Sequence, residues 1–197
     1  MNLPNKLTLL RVILVPVFMA FYLCGFGLGE WRFLIAAVVY IAAAFTDFLD
    51  GKIARKYGLV TNLGKFLDPV ADKVMVMASL LCLCYGNANS LYGILLTFAT
   101  AIVILRELAV TSMRLVAASA DGSVIAAAML GKIKTTTQML FVSIAILEPF
   151  IDALFIDVAA VVVGLRVLLY VLMAVMVVMT LWSGMDYLVK YWKYIKE

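Results

Sequence analysis

Histidine is absent from this sequence, and cysteine occurs only three times in 197 residues. Without histidine, neither an imidazole base nor a histidine-ligated metal site is available. Cys24, Cys82 and Cys84 all lie within apolar runs. We therefore expect small buried or lipid-facing thiols, and neither a disulfide framework nor a zinc site. Acid–base chemistry must then fall to aspartate, glutamate, lysine, tyrosine or arginine.

Charge is also scarce. Charged residues make up 14% of the chain and apolar residues 66%, whereas a soluble domain is about a quarter charged and about half apolar. The composition indicates an all-α membrane protein. No stretch outside the apolar runs is long enough for a soluble domain, so we expect residues 1–197 to form a single membrane domain.

Six apolar runs follow one another along the chain, and we interpret them as six transmembrane helices. They are Leu9–Phe26, Phe33–Leu49, Val70–Tyr85, Leu91–Leu105, Thr136–Leu147 and Leu154–Trp182. Polar connections are expected at 85–90 and around Pro149 with its neighbouring acids. Residues 1–8 are expected to form a separate amphipathic segment at the membrane interface.

The basic residues are unevenly distributed over the ends of these runs. All of the 16 lysines and arginines except Arg32 and Arg166 fall at one set of ends. The positive-inside rule places that set, with both termini, in the cytoplasm. Polar residues that enter the spans share this side, so we expect a cavity open to the cytoplasm in a protein of the cytoplasmic membrane.

For Arg166 and for the aromatic residues near the span ends, we predict structural roles only. Arg166 is expected to pair with an acid or to extend its charge towards water, and we assign it no function. Large aromatic residues near the predicted interfaces are expected to anchor the helices in the bilayer. These are Trp31, Trp182, Tyr187, Tyr191 and Trp192.

Four aspartates lie at helical spacings between positions 47 and 72. Asp47, Asp50, Gly51 and Ala54 follow an i, i+3, i+4, i+7 pattern, so they share one face of a helix. Two carboxylates on that face therefore stand beside two positions where a bulky group can approach the backbone closely. Arg55 follows immediately, and a guanidinium can hold a phosphate through two hydrogen bonds.

Gly64, Asp68 and Asp72 repeat the pattern at i, i+4 and i+8. Pro69 disfavours helical geometry at Asp68, so we expect the third helix to begin or kink there. If the two faces meet, four carboxylates surround one point and need cations to stay ionised. Oxygen ligands select hard ions, so the sequence predicts one or two Mg²⁺ or Mn²⁺ ions beside a phosphorylated ligand. The alternative is a set of solvated salt bridges with neighbouring lysines and arginines.

In order, these residues fill the pattern Asp-x2-Asp-Gly-x2-Ala-Arg-x8-Gly-x3-Asp-x3-Asp at every specified position. The chain thereby resembles the CDP-alcohol phosphotransferase family. Less specific motifs extend the resemblance along the chain; they are Pro4–Arg11, Leu67–Lys73, Arg106-Glu107 with Arg114, Gly131–Thr135, and Thr180–Ser183 with Tyr187 after it. The resemblance implies a six-span membrane enzyme, usually a homodimer, with its site on the cytoplasmic side. Such enzymes transfer a phosphatidyl-type group from a CDP-linked donor to an alcohol and release CMP.

The secondary motifs are similar to those of members that use glycerol 3-phosphate. The resemblance therefore implies CDP-diacylglycerol as donor, sn-glycerol 3-phosphate as acceptor, and Asp72 as the general base. The expected metal ligands are Asp47, Asp50, Asp68 and Asp72. The expected donor-binding residues are Asp50, Gly51, Ala54, Arg55, Gly64 and Thr8. We expect membrane lipids and a second copy of the chain as further partners, and no nucleic acid.

The phosphate of the acceptor requires a second basic cluster. Its candidates lie mainly at the ends of the fourth and fifth spans; they are Arg106, Glu107, Arg114, Lys132, Lys134 and Arg11. Glu107 is expected to orient an arginine or to contact a substrate hydroxyl. The alternatives are that the basic residues reflect membrane topology alone, and that Arg106 and Glu107 form a plain ion pair.

Two other functions are compatible with the motifs. The same reaction could use another acceptor, such as inositol phosphate, serine or phosphatidylglycerol, and an acceptor without a phosphate has less use for the basic cluster. A divalent-cation transporter could use the aspartates as a transit site. Such a transporter needs polar groups through the full bilayer, however, and here they crowd one face.

Overall fold

The computed structural model describes the backbone of residues 3–57, 62–121 and 129–195, and the side chains of residues 5–46, 67, 70–114, 116 and 129–192. Its helices are α1 (Leu3–Cys24), α2 (Trp31–Tyr57), α3 (Asn62–Gly86), α4 (Leu91–Asp121), α5 (Met129–Leu154) and α6 (Ala159–Ile195). One helix corresponds to each predicted apolar run. The prediction of an all-α fold with six helices in this order is confirmed.

The helices are longer than the apolar runs, because a helix that is already formed can continue through polar residues. α4 continues to Asp121 and α6 to Ile195. The turn predicted at 85–90 is present between α3 and α4. Ser90 caps α4, since the backbone N–H of Gly93 donates a hydrogen bond to its Oγ at 3.0 Å.

The loop predicted at Pro149 is wrong in its position, and of the two alternatives predicted for Pro69, a helix start or a kink, the helix start is wrong. α3 begins at Asn62 and continues through Pro69, so the helix does not begin at Asp68. Pro149 lies inside α5, and the connection between α5 and α6 is 155–158. A proline removes one helical hydrogen bond, but packing against neighbouring helices can outweigh that loss.

Residues 3–8 are the first turns of α1 and do not form a separate interfacial segment. The polar side chains of Asn5, Thr8 and Arg11 are buried, whereas that of Leu10 is exposed. This part of α1 therefore directs polar groups into the bundle and an apolar group outwards. A helix lying on a membrane surface would have its polar face towards water instead.

The helices pack around a large apolar core, and a smaller cluster of Val110, Tyr187 and Tyr191 lies between α4 and α6. α1 packs against α2 and α3, α5 contacts α2, α3 and α6, and α4 contacts α3 and α6. Core side chains from α1, α2, α3, α5 and α6 include Phe18, Tyr40, Leu80, Phe141 and Leu169. Burial of these side chains holds the helix ends, and hence the charged groups on them, in fixed relative positions.

The outer surface carries many exposed apolar side chains, as expected of a protein surrounded by lipid. Within the described residues, four helical stretches are long and apolar enough to cross a membrane. They are Asn5–Cys24, Leu91–Arg114, Met129–Leu154 and Ala159–Trp192. A shorter apolar stretch covers Trp31–Thr46. The chain is therefore a membrane protein.

Candidate active site

A cavity of about 660 Å³ lies at the end of the bundle where α3 and α5 begin and α4 and α6 end; we name it the polar-end cavity. Five helices, α2 to α6, contribute to its lining. The charged lining residues are Asp72, Lys73, Arg106, Glu107, Arg114, Lys132 and Lys134. Five are cationic and two are acidic, so the described lining has a positive surplus that attracts anions. All of these except Lys73 were predicted as site residues, and the fold brings them together.

Glu107 lies at the centre of the cationic cluster. Its Oε1 accepts a hydrogen bond from Nη1 of Arg106 at 3.2 Å and another from Nζ of Lys134. All three side chains are largely buried. Because isolated buried charges are costly, this carboxylate stabilises two cations of the cavity. The ion pair considered from the sequence is therefore present, and it extends across α4 and α5 to Lys134.

α6 supplies polar partners for two arginines of α4. Arg106 donates from Nη2 to Oγ of Ser183 at 2.9 Å, and Arg114 donates from Nη2 to the hydroxyl oxygen of Tyr187. The Arg114 guanidinium also lies 4.9 Å from the centre of the Tyr187 ring. These contacts hold both guanidinium groups at the cavity.

Tyr187 and Tyr191 do not anchor the helix at a membrane interface, so that prediction is wrong for these two residues. Their exposed fractions are 2% and 1%, and their rings stack with centres 5.8 Å apart. The three tryptophans are exposed, as expected. A sequence signal was available, because hydroxylated residues recur at spacings of three and four in the last part of α6, at Thr180, Ser183, Tyr187 and Tyr191.

Lys73 also lines the cavity, although it was not among the predicted site residues. Its Nζ donates to Oγ1 of Thr111, whose hydroxyl donates to the backbone carbonyl of Glu107 at 2.7 Å. The contact joins α3 to α4 directly beside Asp72. The sequence signals for this role were its position next to that aspartate and its place at the end of the Leu67–Lys73 motif.

The aspartate pattern is divided between two helices. Asp47 and Asp50 occupy helical positions of α2, and Asp68 and Asp72 occupy helical positions of α3. Asp72 is partly buried and lines the polar-end cavity. The side chains of the other three fall outside the described residues, as do the predicted donor-site residues Gly51, Ala54, Arg55 and Gly64. Among the side chains that the structure does describe, no group of three or more metal-binding residues is present.

Thr8 and Arg11 occupy α1, where their exposed fractions are 1% and 0%. Neither residue lines the polar-end cavity. Their predicted contacts with donor and acceptor stay predictions.

A second cavity, of about 620 Å³, lies at the opposite end of the bundle; we name it the distal cavity. Arg166 of α6 forms an ion pair there with the buried Glu148 of α5, and its Nη2 lies 3.6 Å from Oδ2 of Asp152. The expected pairing of Arg166 with an acid is confirmed. The contact ties α5 to α6 at the end away from the cationic cluster.

A family model described as CDP-alcohol phosphatidyltransferase matches residues 1–182. The chain belongs to this family, and its polar-end cavity is where the predicted catalytic aspartate and basic residues meet.

Several curated relatives are named CDP-diacylglycerol–glycerol-3-phosphate 3-phosphatidyltransferase. The chain is 39% identical to the one from Bacillus subtilis over 208 residues, which cover 99% of this chain and 97% of the relative. It is 35% identical to the one from Yersinia enterocolitica over 199 residues, with 100% and 98% covered. It is 34% identical to the one from Salmonella typhimurium over 188 residues, with 95% and 93% covered. The similarity thus extends over nearly the whole of each protein.

Proposed function

We propose that this protein transfers the phosphatidyl group of CDP-diacylglycerol to sn-glycerol 3-phosphate, giving phosphatidylglycerophosphate and CMP. Relatives named for a transfer between these substrates align with nearly the whole chain. The observation that carries the choice of a phosphorylated acceptor is the cationic surplus of the polar-end cavity. An acceptor without a phosphate would leave this surplus positive charge unbalanced in a partly dehydrated site.

The acceptor phosphate is bound by cations at two depths. Arg114 and Lys132 are exposed at the mouth of the cavity, whereas Arg106 and Lys134 are mostly buried. A phosphate that enters from water meets the exposed pair first and then the inner pair, which Glu107 holds in place. Arg11 joins this set on the basis of the Pro4–Arg11 motif.

The acidic residues fit a hard divalent cation, and enzymes of this family generally use divalent metal ions. The donor set consists only of carboxylates, spaced i, i+3 in α2 and i, i+4 in α3, so each pair shares one helix face. We assign Asp47, Asp50, Asp68 and Asp72 as ligands of Mg²⁺ or Mn²⁺. When bound, the ion polarises the donor phosphate and stabilises the charge that develops on CMP.

Asp72 acts as the general base. It takes the proton of the acceptor 1-hydroxyl, the hydroxyl oxygen forms a bond to the lipid-side phosphorus, and the bond from that phosphorus to the bridging oxygen breaks as CMP leaves. Two carboxylates line the described cavity. Glu107 is held by two cations, whereas Asp72 belongs to the aspartate pattern, so the two have different roles.

The donor lies against the α2 and α3 segments that carry the pattern. The residues assigned to it are Asp50, Gly51, Ala54, Arg55 and Gly64, with Thr8 from α1. The glycine and alanine positions allow the pyrophosphate to approach the backbone, and Arg55 binds its oxygens.

All six helices cross the cytoplasmic membrane, and the polar end faces the cytoplasm together with both termini. The distribution of the basic residues supports this orientation. Residues 1–197 form one domain, and two copies assemble as a homodimer, as the resemblance to the family implies.

An acceptor panel tests this proposal. Purified protein in lipid nanodiscs receives CDP-diacylglycerol with labelled acyl chains and, separately, glycerol 3-phosphate, inositol phosphate, serine or phosphatidylglycerol. We expect CMP and phosphatidylglycerophosphate from glycerol 3-phosphate, identified by mass spectrometry, and loss of turnover in excess EDTA.

Each other outcome has a defined meaning. A product from a different acceptor would reassign the substrate and keep the reaction. Undiminished turnover in EDTA would contradict the metal site. No CMP with any acceptor would favour a divalent-cation transporter.

A further inference from the structure

Gln138 is the only glutamine of the chain, and the proposed chemistry does not use it. It lies on α5 with an exposed fraction of 1%, and it lines the polar-end cavity. Its amide Nε2 is buried and has no hydrogen-bond partner among the described residues. A buried amide donor without a partner is costly, so its persistence at a cavity wall points to a ligand that completes it.

The hydroxyl groups of the described lining already form hydrogen bonds within the protein. The threonine hydroxyls donate to backbone carbonyls of their own helices: Thr111 to Glu107, Thr135 to Gly131 and Thr136 to Lys132. The phenol of Tyr187 accepts from Arg114. Gln138 is therefore the neutral side chain of this lining that has a buried donor without a partner among the described residues.

The position of Gln138 relates it to the phosphate-binding cations. Lys134 and Gln138 are four residues apart on α5, about one helical turn or roughly 5.4 Å along the axis. Because α5 begins at the polar end, Gln138 lies one turn deeper than Lys134. A small acceptor held at its phosphate by Lys134 can therefore extend a hydroxyl towards the amide.

Glycerol 3-phosphate has three polar groups to be recognised. Its phosphate is matched to the cations and its reacting 1-hydroxyl to Asp72, which leaves the 2-hydroxyl. We propose that Gln138 hydrogen-bonds this 2-hydroxyl and thereby selects a glycerol phosphate over phosphorylated alcohols that lack it. An amide carries both a donor and an acceptor, so it can bind a hydroxyl group in either direction. The inference rests on the proposed function and adds a specificity determinant to it.

The test compares two acceptors, sn-glycerol 3-phosphate and 3-hydroxypropyl phosphate, which differ only in the 2-hydroxyl. For the wild type we expect kcat/KM to be about tenfold higher for glycerol 3-phosphate, the effect of one hydrogen bond in a buried site. In Gln138→Met, which keeps the side-chain length without the amide, the value for glycerol 3-phosphate falls and that for the analogue stays within about twofold. The preference should then be close to one.

The ratio of the two acceptors does not depend on the fraction of folded enzyme, so it separates recognition from stability. Thr137→Val is the matched control, because this neighbouring threonine lies outside the cavity lining and bonds to the carbonyl of Lys134. It should keep the full preference. Gln138→Asn, whose amide is one methylene too short, should lose most of it and provides a second variant.

The inference fails if the wild type does not distinguish the two acceptors, or if Gln138→Met lowers both values by the same factor. These outcomes differ from failure of the proposed function, in which the wild type forms no lipid product from glycerol 3-phosphate.

Discussion

The polar-end and distal cavities are nearly equal in volume, about 660 Å³ and about 620 Å³, but their described linings have opposite net charge. The polar-end cavity has five cationic and two acidic side chains in its described lining. Among the described residues, the lining of the distal cavity has one cation, Arg166, and three acids, Glu30, Glu148 and Asp152. In the distal cavity the cation contacts two of the acids.

The comparison shows that charge balance, more than volume, marks the cavity suited to a phosphorylated substrate. The Arg166 guanidinium has its counter-ions within the protein, so its contacts join helices and require no ligand. In the polar-end cavity the cations outnumber the acids, and one carboxylate, Glu107, is shared by two of them. The positive surplus of that cluster suits it to an anionic ligand.

The largest expected difference in turnover is between two variants that each lack one carboxylate, one in each cavity. Asp72→Asn should lower turnover by about a thousandfold or more, because the base is lost while the shape of the side chain is kept. Asp152→Asn in the distal cavity should keep near wild-type turnover. Release of CMP from CDP-diacylglycerol measures both, and wild-type turnover in Asp72→Asn would remove that residue as the base.

A smaller effect, on KM for the acceptor, is expected when a cation at the mouth of the polar-end cavity is removed. Lys132 is exposed, so Lys132→Ala should leave the fold intact and raise KM for glycerol 3-phosphate about tenfold, through loss of one charged hydrogen bond. The matched control is Lys190→Ala, because Lys190 is exposed on α6 outside the cavity lining, where it pairs with Asp186 at 2.6 Å. Equal KM values in the two variants would indicate that the basic residues serve topology alone.

Removal of one hydroxyl should have a weaker effect on the same site. Tyr187→Phe keeps the ring beside Arg114 and removes the hydrogen-bond acceptor, so KM for the acceptor should rise about two- to fivefold with little change in kcat. Tyr191→Phe alters the stacked neighbour outside the cavity lining and should leave KM unchanged. Steady-state kinetics over a range of acceptor concentrations separates the two variants.

The smallest effect on activity is expected from the distal ion pair. Arg166→Met leaves the buried Glu148 without its cation, so the thermal unfolding midpoint should fall by a few degrees. The kcat/KM of the folded protein should stay within about twofold of wild type. A loss of activity as large as that of Lys132→Ala, with an unchanged unfolding midpoint, would show that charge balance does not separate the two cavities.

The helices were predictable because each contains a long apolar run. Such runs are rare in soluble proteins and indicate a helix that crosses a membrane. The ends of the helices were not predictable, since hydropathy carries no signal once a helix continues into polar residues, as α6 does on its way to Ile195. The prolines gave a local signal that the packing of the helices overrode. Pro69 and Pro149 signal breaks locally, yet both lie inside helices that pack against several neighbours.

Most charged residues of the polar-end cavity were predictable from the sequence, because they lie at those ends of the predicted spans that face the same side of the membrane. The contacts of Lys73, Gln138 and Tyr187 were not. Each depends on how neighbouring helices are rotated about their axes, and that rotation is set by packing across several helices. A polar residue in an apolar helix shows that a partner is needed, but it does not identify the partner.

The length of α6 has a consequence for where two chemically unlike molecules can react. A helix of 37 residues is about 55 Å long, whereas the hydrocarbon layer is about 30 Å thick and takes up about 20 residues. If the hydrocarbon layer begins at Ala159, those residues end near Val178, and Tyr187 then lies more than two helical turns outside the layer. On that placement, the proposed glycerol phosphate would meet Arg114 at the level of the lipid headgroups, and the acyl chains of the proposed donor would stay among the surrounding lipids.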